Sequence, residues 1–395
     1  MLIYNSIQLV LLLLLGLATL YILIFSVAGL FYKERVYVNS GKAQKIAVLI
    51  PGYKEDEVIL EVAESALQQN YPFGDFDVII IADSFQKETV HALKKLPVKL
   101  IEVSFDKSTK SKALNSAMAL LPEEYDIAVI LDADNLMEQD FLSKINAAFS
   151  KETVAIQGHR TAKNQNNSWA ILDAVSEEIN NHIFRKGHRV LGLSSAIIGS
   201  GMAFKYDYFK SLMSEATAVG GFDKEIELKM LKEGNRIQYL HDAIVYDEKI
   251  QKSDVFGNQR RRWLSAQLHY FRKDFLHAFK DLLLKSNLDY FDKAIQFIQP
   301  PRILLLGSLM LLSTIFIFSN NLLNNNSMFS ISWVLISAAC IFSLIISMPR
   351  HFFNVRTLTA LVNLPGGMLL MLRSLMKIKG ANKQFIHTRH TANTK

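Results

Sequence analysis

The sequence predicts an α/β protein, a mostly parallel sheet with helices on both faces, set between membrane segments. Three observations carry that expectation. Short unbroken apolar runs, such as residues 46–50 and 128–131, read as strands buried on both faces. Amphipathic stretches of helical spacing alternate with them, as in a parallel sheet covered by helices. Both ends of the chain hold long apolar runs without charge.

Composition narrows the function. Of 395 residues half are hydrophobic, the net charge is +7, and Cys340 is the single cysteine. One cysteine excludes an intrachain disulfide and a cysteine-rich metal site. The basic residues border apolar segments and form no zinc-finger pattern, so lipid headgroups and phosphorylated substrates are expected, not nucleic acid.

Residues 7–31 are uncharged and long enough to span a bilayer. Ser26-Val27-Ala28 resembles a weak cleavage site. However, no basic residue precedes the run and it exceeds a signal core, so 1–35 reads as a retained anchor. Lys33 and Arg35 follow it, which puts the next domain in the cytoplasm and the protein in the inner (plasma) membrane.

The strand at 46–50 ends in Pro51-Gly52-Tyr53. Val58, Val62, Ala66 and Leu67 give a helix over 57–69, stopped by Asn70-Tyr71-Pro72. Strands follow at 76–82, with Asp83 at the end, and at 98–103, then a helix at 111–121. The strand at 128–131 delivers Asp132-Ala133-Asp134-Asn135. In extended geometry residues i and i+2 point the same way, so both acids converge beyond the carboxyl end, where open α/β sheets bind ligands. Two hard oxygen donors there suit Mg2+ or Mn2+ holding substrate phosphates, whereas an isolated Asp-x-Asp is more often a solvated loop. At neighbouring strand ends Tyr53 can face a base, and Glu55 and Asp83 can accept hydrogen bonds from base or ribose. A lone Asp after a strand is more commonly a turn or cap. Lys110 and Lys112 open a helix whose N-terminus can approach a diphosphate.

Pro51-Gly52-Tyr53-Lys54-Glu55, Asp83, residues 110–115, Asp132-Ala133-Asp134, Gly199-Ser200-Gly201-Met202 and Gln259-Arg260-Arg261-Arg262-Trp263 together carry a resemblance. Over about 46–263 the chain resembles membrane-bound family 2 glycosyltransferases, the group of cellulose, chitin, hyaluronan and poly-N-acetylglucosamine synthases. The resemblance implies a GT-A fold over 43–270, a nucleotide-diphosphate sugar donor such as a UDP-sugar, a divalent metal and inversion at the anomeric carbon. It implies donor binding by Pro51, Tyr53, Glu55, Asp83, Lys112, Asp132 and Gly201, and a metal on Asp134 with help from Asp132. Gln259, Arg262 and Trp263 share a helix face, where Arg262 would meet the diphosphate and Trp263 the acceptor. Arg260 and Arg261 would turn towards lipid headgroups. The family's general base stands in a Glu-Asp pair, and here Lys224-Glu225 occupies that place. The alignment that keeps Glu227-Leu228 and Gly234 in step sets Glu225 as the base, with Asp223 the competitor. A third reading leaves Glu225 as a favourable charge in a helix's first turn. Residues 243–246 read as a short strand ending in a structural Asp247-Glu248 pair.

Residues 271–302 read as interfacial amphipathic helices, broken at Pro300-Pro301. A membrane hairpin follows over 303–348, flanked by Arg302 and Arg350. Asn363, Pro365, Gly366 and Gly367 interrupt the last apolar run, so 349–395 is expected to be re-entrant or interfacial with a basic cytoplasmic tail. The expected activity is transfer of a sugar to a growing glycan or lipid-linked acceptor in cell-surface polysaccharide synthesis. Membrane lipids, other assembly subunits or self-association are the expected partners. The alternative is an inactive nucleotide-sugar-binding scaffold of an export complex.

Overall fold

The computed structural model describes residues 1–34, 37, 43–72, 74–251, 253–325 and 327–378, with residues 253–256 and 258 described by backbone alone. Arg35 and the tail beyond residue 378 lie outside the described residues.

The chain opens with α1 (Leu2–Gly29) and then alternates through β1 (Ile46–Tyr53), α2 (Ile59–Leu67), β2 (Phe76–Asp83), α3 (Lys87–Leu93), β3 (Lys99–Val103), α4 (Lys110–Leu120) and β4 (Ile127–Ile130). A second half carries β5 (Leu136–Met137), α5 (Phe141–Ala148), β6 (Ala155–Ala162), α6 (Ser168–Asn181), a π-helical turn (His182–Gly187), α7 (His188–Val190) and β7 (Met202–Lys205). It closes with α8 (Tyr206–Ser214), α9 (Phe222–Lys232) and β8 (Ile237–Asp247). Further helices follow: α10 (Ser253–Lys285), α11 (Leu288–Ile298), α12 (Arg302–Leu322), α13 (Ser327–Ile346), the short α14 (Val355–Ala360) and α15 (Leu364–Met376).

The eight strands form one sheet in the order β3-β2-β1-β4-β7-β6-β8-β5. β1 to β4 pair in parallel; β7 is antiparallel to both β4 and β6, and β6 runs parallel to β8. The unbroken apolar runs have a simple cause. Along β1, Ile46, Val48 and Ile50 enter the core on one face while Ala47 and Leu49 enter the core on the other. Each face is covered by helices, so no position of the strand is left for a polar side chain.

The strand expected at 243–246 is the end of the longer β8, while β6, β7 and α6 carry no clear sequence signal. Gln157, His159 and Arg160 interrupt the apolar pattern of β6, because each meets a buried polar partner instead of solvent.

Among the described residues four segments are long and apolar enough to cross a membrane: Leu2–Gly29, Arg302–Leu322, Ser327–Ile346 and Val355–Met376. The last was expected to be re-entrant or interfacial. It is broken by a 3-10 turn at Leu361–Asn363, and Ser374 on α15 donates to the carbonyl of Gly257 on α10. α6 and the π-helical turn join the two halves of the molecule. Ile171, Ala174, Val175, Ile179 and Ile183 share a core with Leu12, Ile22 and Phe25 of α1 and Leu305 and Leu309 of α12. Gly187 permits the contact: a Cβ there would lie 2.2 Å from the Phe25 carbonyl oxygen.

Candidate active site

The carboxyl ends of β1, β2 and β4 share one edge. Tyr53 and Asp83 are register partners, and the Leu131 amide continues the β4 ladder by donating to Leu49 at 3.0 Å. The edge is tight at Gly52, where a Cβ would sit 2.6 Å from the Phe85 ring and 3.5 Å from Ala133. Asp83 is buried, its Oδ1 accepting from Ser84 at 2.9 Å, and the Lys54 ammonium lies 5.2 Å from the centre of the Tyr53 ring. Pro51 is half-buried; Glu55 is buried and its carbonyl takes the amides that start α2.

Beyond β4 the chain crosses to β5, which pairs with β8 at the far side of the sheet, so the acidic loop is pinned at both ends. Asp132 donates its amide to Ser200 Oγ at 2.9 Å, and Ser200 donates to Asn135 Oδ1 at 2.5 Å. Asn135 Nδ2 donates to Asp247 Oδ1 at 3.0 Å. Behind it, Asp247 meets Lys249 at 2.6 Å and Arg160 at 3.7 Å, and both of these cations also hold Glu177. Asp134, flanked in the chain by Ala133 and Asn135, is almost fully buried.

Burial, with Asp134 and Asp132 adding to it against the pull of Arg160, pushes the Asp247 carboxyl up to about 7. Burial and the Arg160 charge push Lys249 down. The carboxylates of Asp132 and Asp134 therefore load negative charge onto a nearly dry site, which a divalent cation would relieve. Among the described residues no three His, Cys, Asp or Glu side chains converge as a complete ligand set. A cation on these acids would take its remaining oxygens from a diphosphate and water, the habit of Mg2+.

Lys110, not Lys112, reaches the acids. Its ammonium pairs with Asp132 Oδ1 and donates to the Gly199 carbonyl at 2.6 Å. Lys112 instead donates to the Lys107 carbonyl at 2.8 Å. Gly199, at φ 87°, lies against Asp223: a Cβ there would be 3.9 Å from the Asp223 carboxyl carbon. Asp223 is thus one step from the Lys110–Asp132 pair. Glu225 is engaged elsewhere, accepting from the amides of Thr217 at 3.0 Å and Ala218 at 2.8 Å and from the Thr217 hydroxyl at 3.3 Å. Gly201, at φ 61°, packs against Val245, and its carbonyl accepts from the Gly158 amide at 2.8 Å.

With this geometry in place, the family description "Glycosyltransferase like family 2" matches residues 43–266, more than half of the chain. The chain belongs to glycosyltransferase family 2. The chain is 24% identical over 276 residues to the beta-monoglucosyldiacylglycerol synthase of Trichormus variabilis, covering 67% of this chain and 57% of that one. It is 24% identical over 268 residues to an N-acetylglucosaminyltransferase of Rhizobium meliloti, covering 62% and 59%. The chain therefore spans less than two thirds of the length of these curated relatives. Among solved structures, the mannosyltransferase PcManGT of Pyrobaculum calidifontis, in complex with GDP-Man and Mn2+, superposes with a TM-score of 0.52 at 17% identity, covering 86% of this chain and 97% of that one. The GT-A fold expected from the sequence is the fold observed.

In this transferase the Gln-x-x-Arg-Trp sequence lies in the first turns of α10. Arg262 is half-buried, and Trp263 is 36% exposed. Gln259 Oε1 is buried with no hydrogen-bond partner among the described residues. The expectation that Arg260 faces lipid headgroups is corrected. It pairs with Asp173 of α6, and its guanidinium stacks 4.4 Å from the centre of the Trp263 ring. Sequence reasoning missed Asn135, Ser200, Arg160, Glu177 and Lys249 as supports of the acidic loop. Of these only Arg160 leaves a signal in the sequence, as a charged residue interrupting the apolar run of β6.

Proposed function

We propose that this family 2 glycosyltransferase is an inverting, metal-dependent enzyme that moves a sugar from a nucleoside diphosphate donor, such as a UDP- or GDP-sugar, to a glycan or lipid-linked acceptor at the cytoplasmic membrane face. The observation that carries the proposal is the contiguous group Asp132, Lys110, Gly199 and Asp223 at the open edge of the sheet. A solved relative of the same fold with GDP-Man and Mn2+, and relatives named for glycolipid and glycan synthesis, support the donor and acceptor classes. Lys33 after α1, and Arg302 and Arg350 around the α12–α13 hairpin, support a cytoplasmic catalytic domain.

Asp134 and Asp132 would hold the metal. A bound divalent cation supplies charge neutralisation for the departing diphosphate. Lys110 fixes Asp132 and adds a positive charge beside the phosphates. Tyr53, Glu55 and Asp83, at the ends of β1 and β2, would receive base and ribose. Trp263 and Arg262 would meet acceptor and diphosphate. The acceptor hydroxyl oxygen attacks the anomeric carbon, its proton passes to a carboxylate, and the bond from that carbon to the diphosphate oxygen breaks. Asp223 is the preferred base: it lies beside Gly199 with Lys224 at 3.2 Å as its ion-pair partner, whereas the Glu225 carboxylate serves three loop donors.

The test is to incubate the detergent-solubilised protein with a panel of nucleotide sugars and Mn2+ or Mg2+, and to weigh the products. Wild type is expected to transfer one sugar, and to stop when the metal is chelated. Asp223→Asn is expected to lower kcat roughly 10²–10⁴-fold with donor binding retained, and Glu225→Gln to stay within about tenfold of wild type. The reverse ranking would return the base to Glu225. No transfer or donor hydrolysis across the panel would favour the scaffold.

A further inference from the structure

Arg302 opens α12 directly after Pro300-Pro301, where the chain leaves α11 for an apolar segment of membrane-spanning length. Its Nη2 donates to the Ser176 carbonyl at 2.9 Å and to the Ser176 hydroxyl at 3.2 Å. Its Nη1 is buried and has no hydrogen-bond partner among the described residues. The charges that bear on Arg302 are those of Arg260 and Arg185, both cations. Their own contacts leave no acid to spare. Arg260 pairs with Asp173, three residues before Ser176 on the same face of α6. Arg185 donates to Asn181 Oδ1 at 2.6 Å and to the Ala196 carbonyl at 3.2 Å. Three residues before Arg302, Gln299 Oε1 is also buried without a partner among the described residues. An amide can be turned to offer its NH2 instead.

The Arg302 side chain is half-buried, 6.0 Å from the centre of the Phe184 ring; a guanidinium nitrogen buried there without a counter-ion is unfavourable, and its planar donor edge suits phosphate oxygens. We infer that Arg302 Nη1, with the Gln299 amide, forms a phosphate-binding site at the membrane boundary. The ligand class is a phosphate mono- or diester, supplied by a lipid headgroup or by free phosphate. The site is distinct from the acidic loop that would take the donor diphosphate, and its occupancy requires no sugar transfer.

The experiment uses the full chain in nanodiscs of phosphatidylcholine with added phosphatidylglycerol, followed by native mass spectrometry of the released protein. A parallel arm measures the thermal midpoint in neutral detergent with and without inorganic phosphate. Wild type is expected to retain one more phosphatidylglycerol than Arg302→Met, with Arg302→Lys in between; that result assigns the lipid source. A phosphate-induced rise in the midpoint of wild type that Arg302→Met lacks would assign the free-anion source. Equal lipid retention and equal phosphate response in wild type and Arg302→Met would overturn the site. Arg302→Met replaces a buried charge with an apolar chain of similar length and is expected to fold. If it does not, the same comparison between wild type and Arg302→Lys decides, equal behaviour again overturning the site.

Discussion

Glu178 is a buried acid whose surroundings reverse the usual effect of burial. Burial raises its pKa, but the His159 ring at 2.9 Å, the Thr161 hydroxyl at 2.7 Å and the Asn181 amide together bring it from an ordinary 4.5 to about 2. A folded-state pKa below the unfolded value means that the fold favours the carboxylate. Its contribution is complete above the unfolded pKa and disappears as pH falls from about 4.5 through about 2. Thermal midpoints of Glu178→Gln are therefore expected to fall less steeply than wild type across that acid window, while wild type is more stable near neutrality by on the order of 3 kcal/mol. Parallel midpoint curves would show that the pair contributes nothing pH-dependent. The same scale shows what could be read from the chain. Asp132 and Asp134 follow a strand, where i and i+2 point one way, so their convergence was legible. Lys110 and Lys112, and Asp223 and Glu225, are also two apart but sit in first helical turns, where such a spacing separates side chains by more than half a rotation. In each pair one residue, Lys110 or Asp223, lies beside Gly199, while Lys112 and Glu225 hold neighbouring loop backbone.

Among the elements, the apolar strands and the long apolar helices announced themselves, but α6 did not. It presents Asp173, Glu177 and Glu178, which in sequence look like a solvated face; in the fold they hold Arg260, Arg160, Lys249 and His159. Its other side, with Ile171, Val175 and Ile179, lies on the membrane helices. The π-helical turn after α6 brings Gly187 against α1, with no room for a Cβ because the obstruction is the Phe25 backbone. Gly187→Leu is expected to displace α1 and to destabilise the protein by about 1–3 kcal/mol, the usual cost of overpacking. A lowered midpoint in detergent, with Gly192→Leu as the control for a glycine with open space around it but a left-handed φ of 79°, separates steric clash from backbone strain. Loss at Gly192 equal to that at Gly187 would remove the close approach as the cause.

At the scale of the molecule, the sheet with its own helices and the long apolar helices share a core that neither completes alone. Ile171, Ala174, Val175, Ile179 and Ile183 come from α6 and the π-helical turn, while Leu12, Ala18, Ile22, Phe25, Leu305 and Leu309 come from the apolar helices α1 and α12. A second tie joins α9, which carries Asp223, to α11, which leads into α12: the Glu227 and Lys293 side chains meet at 2.7 Å, both nearly buried. Removing one partner of such a pair strands a buried charge, typically at a cost of 3–5 kcal/mol. A fragment of residues 43–266 contains the whole family match, yet it would expose the apolar face of α6 and the π-helical turn and leave Glu227 without Lys293. It is therefore expected to be aggregated or molten, with no cooperative unfolding transition, although the full chain in detergent unfolds cooperatively. Adding back α1 supplies Leu12, Ile22 and Phe25, and adding α11 and α12 supplies Lys293, Leu305 and Leu309, so only fragments with both additions are expected to recover the transition. A soluble, monodisperse 43–266 fragment with native helix content would instead mean that the sheet and its own helices suffice, and that the membrane helices are ballast for the catalytic fold.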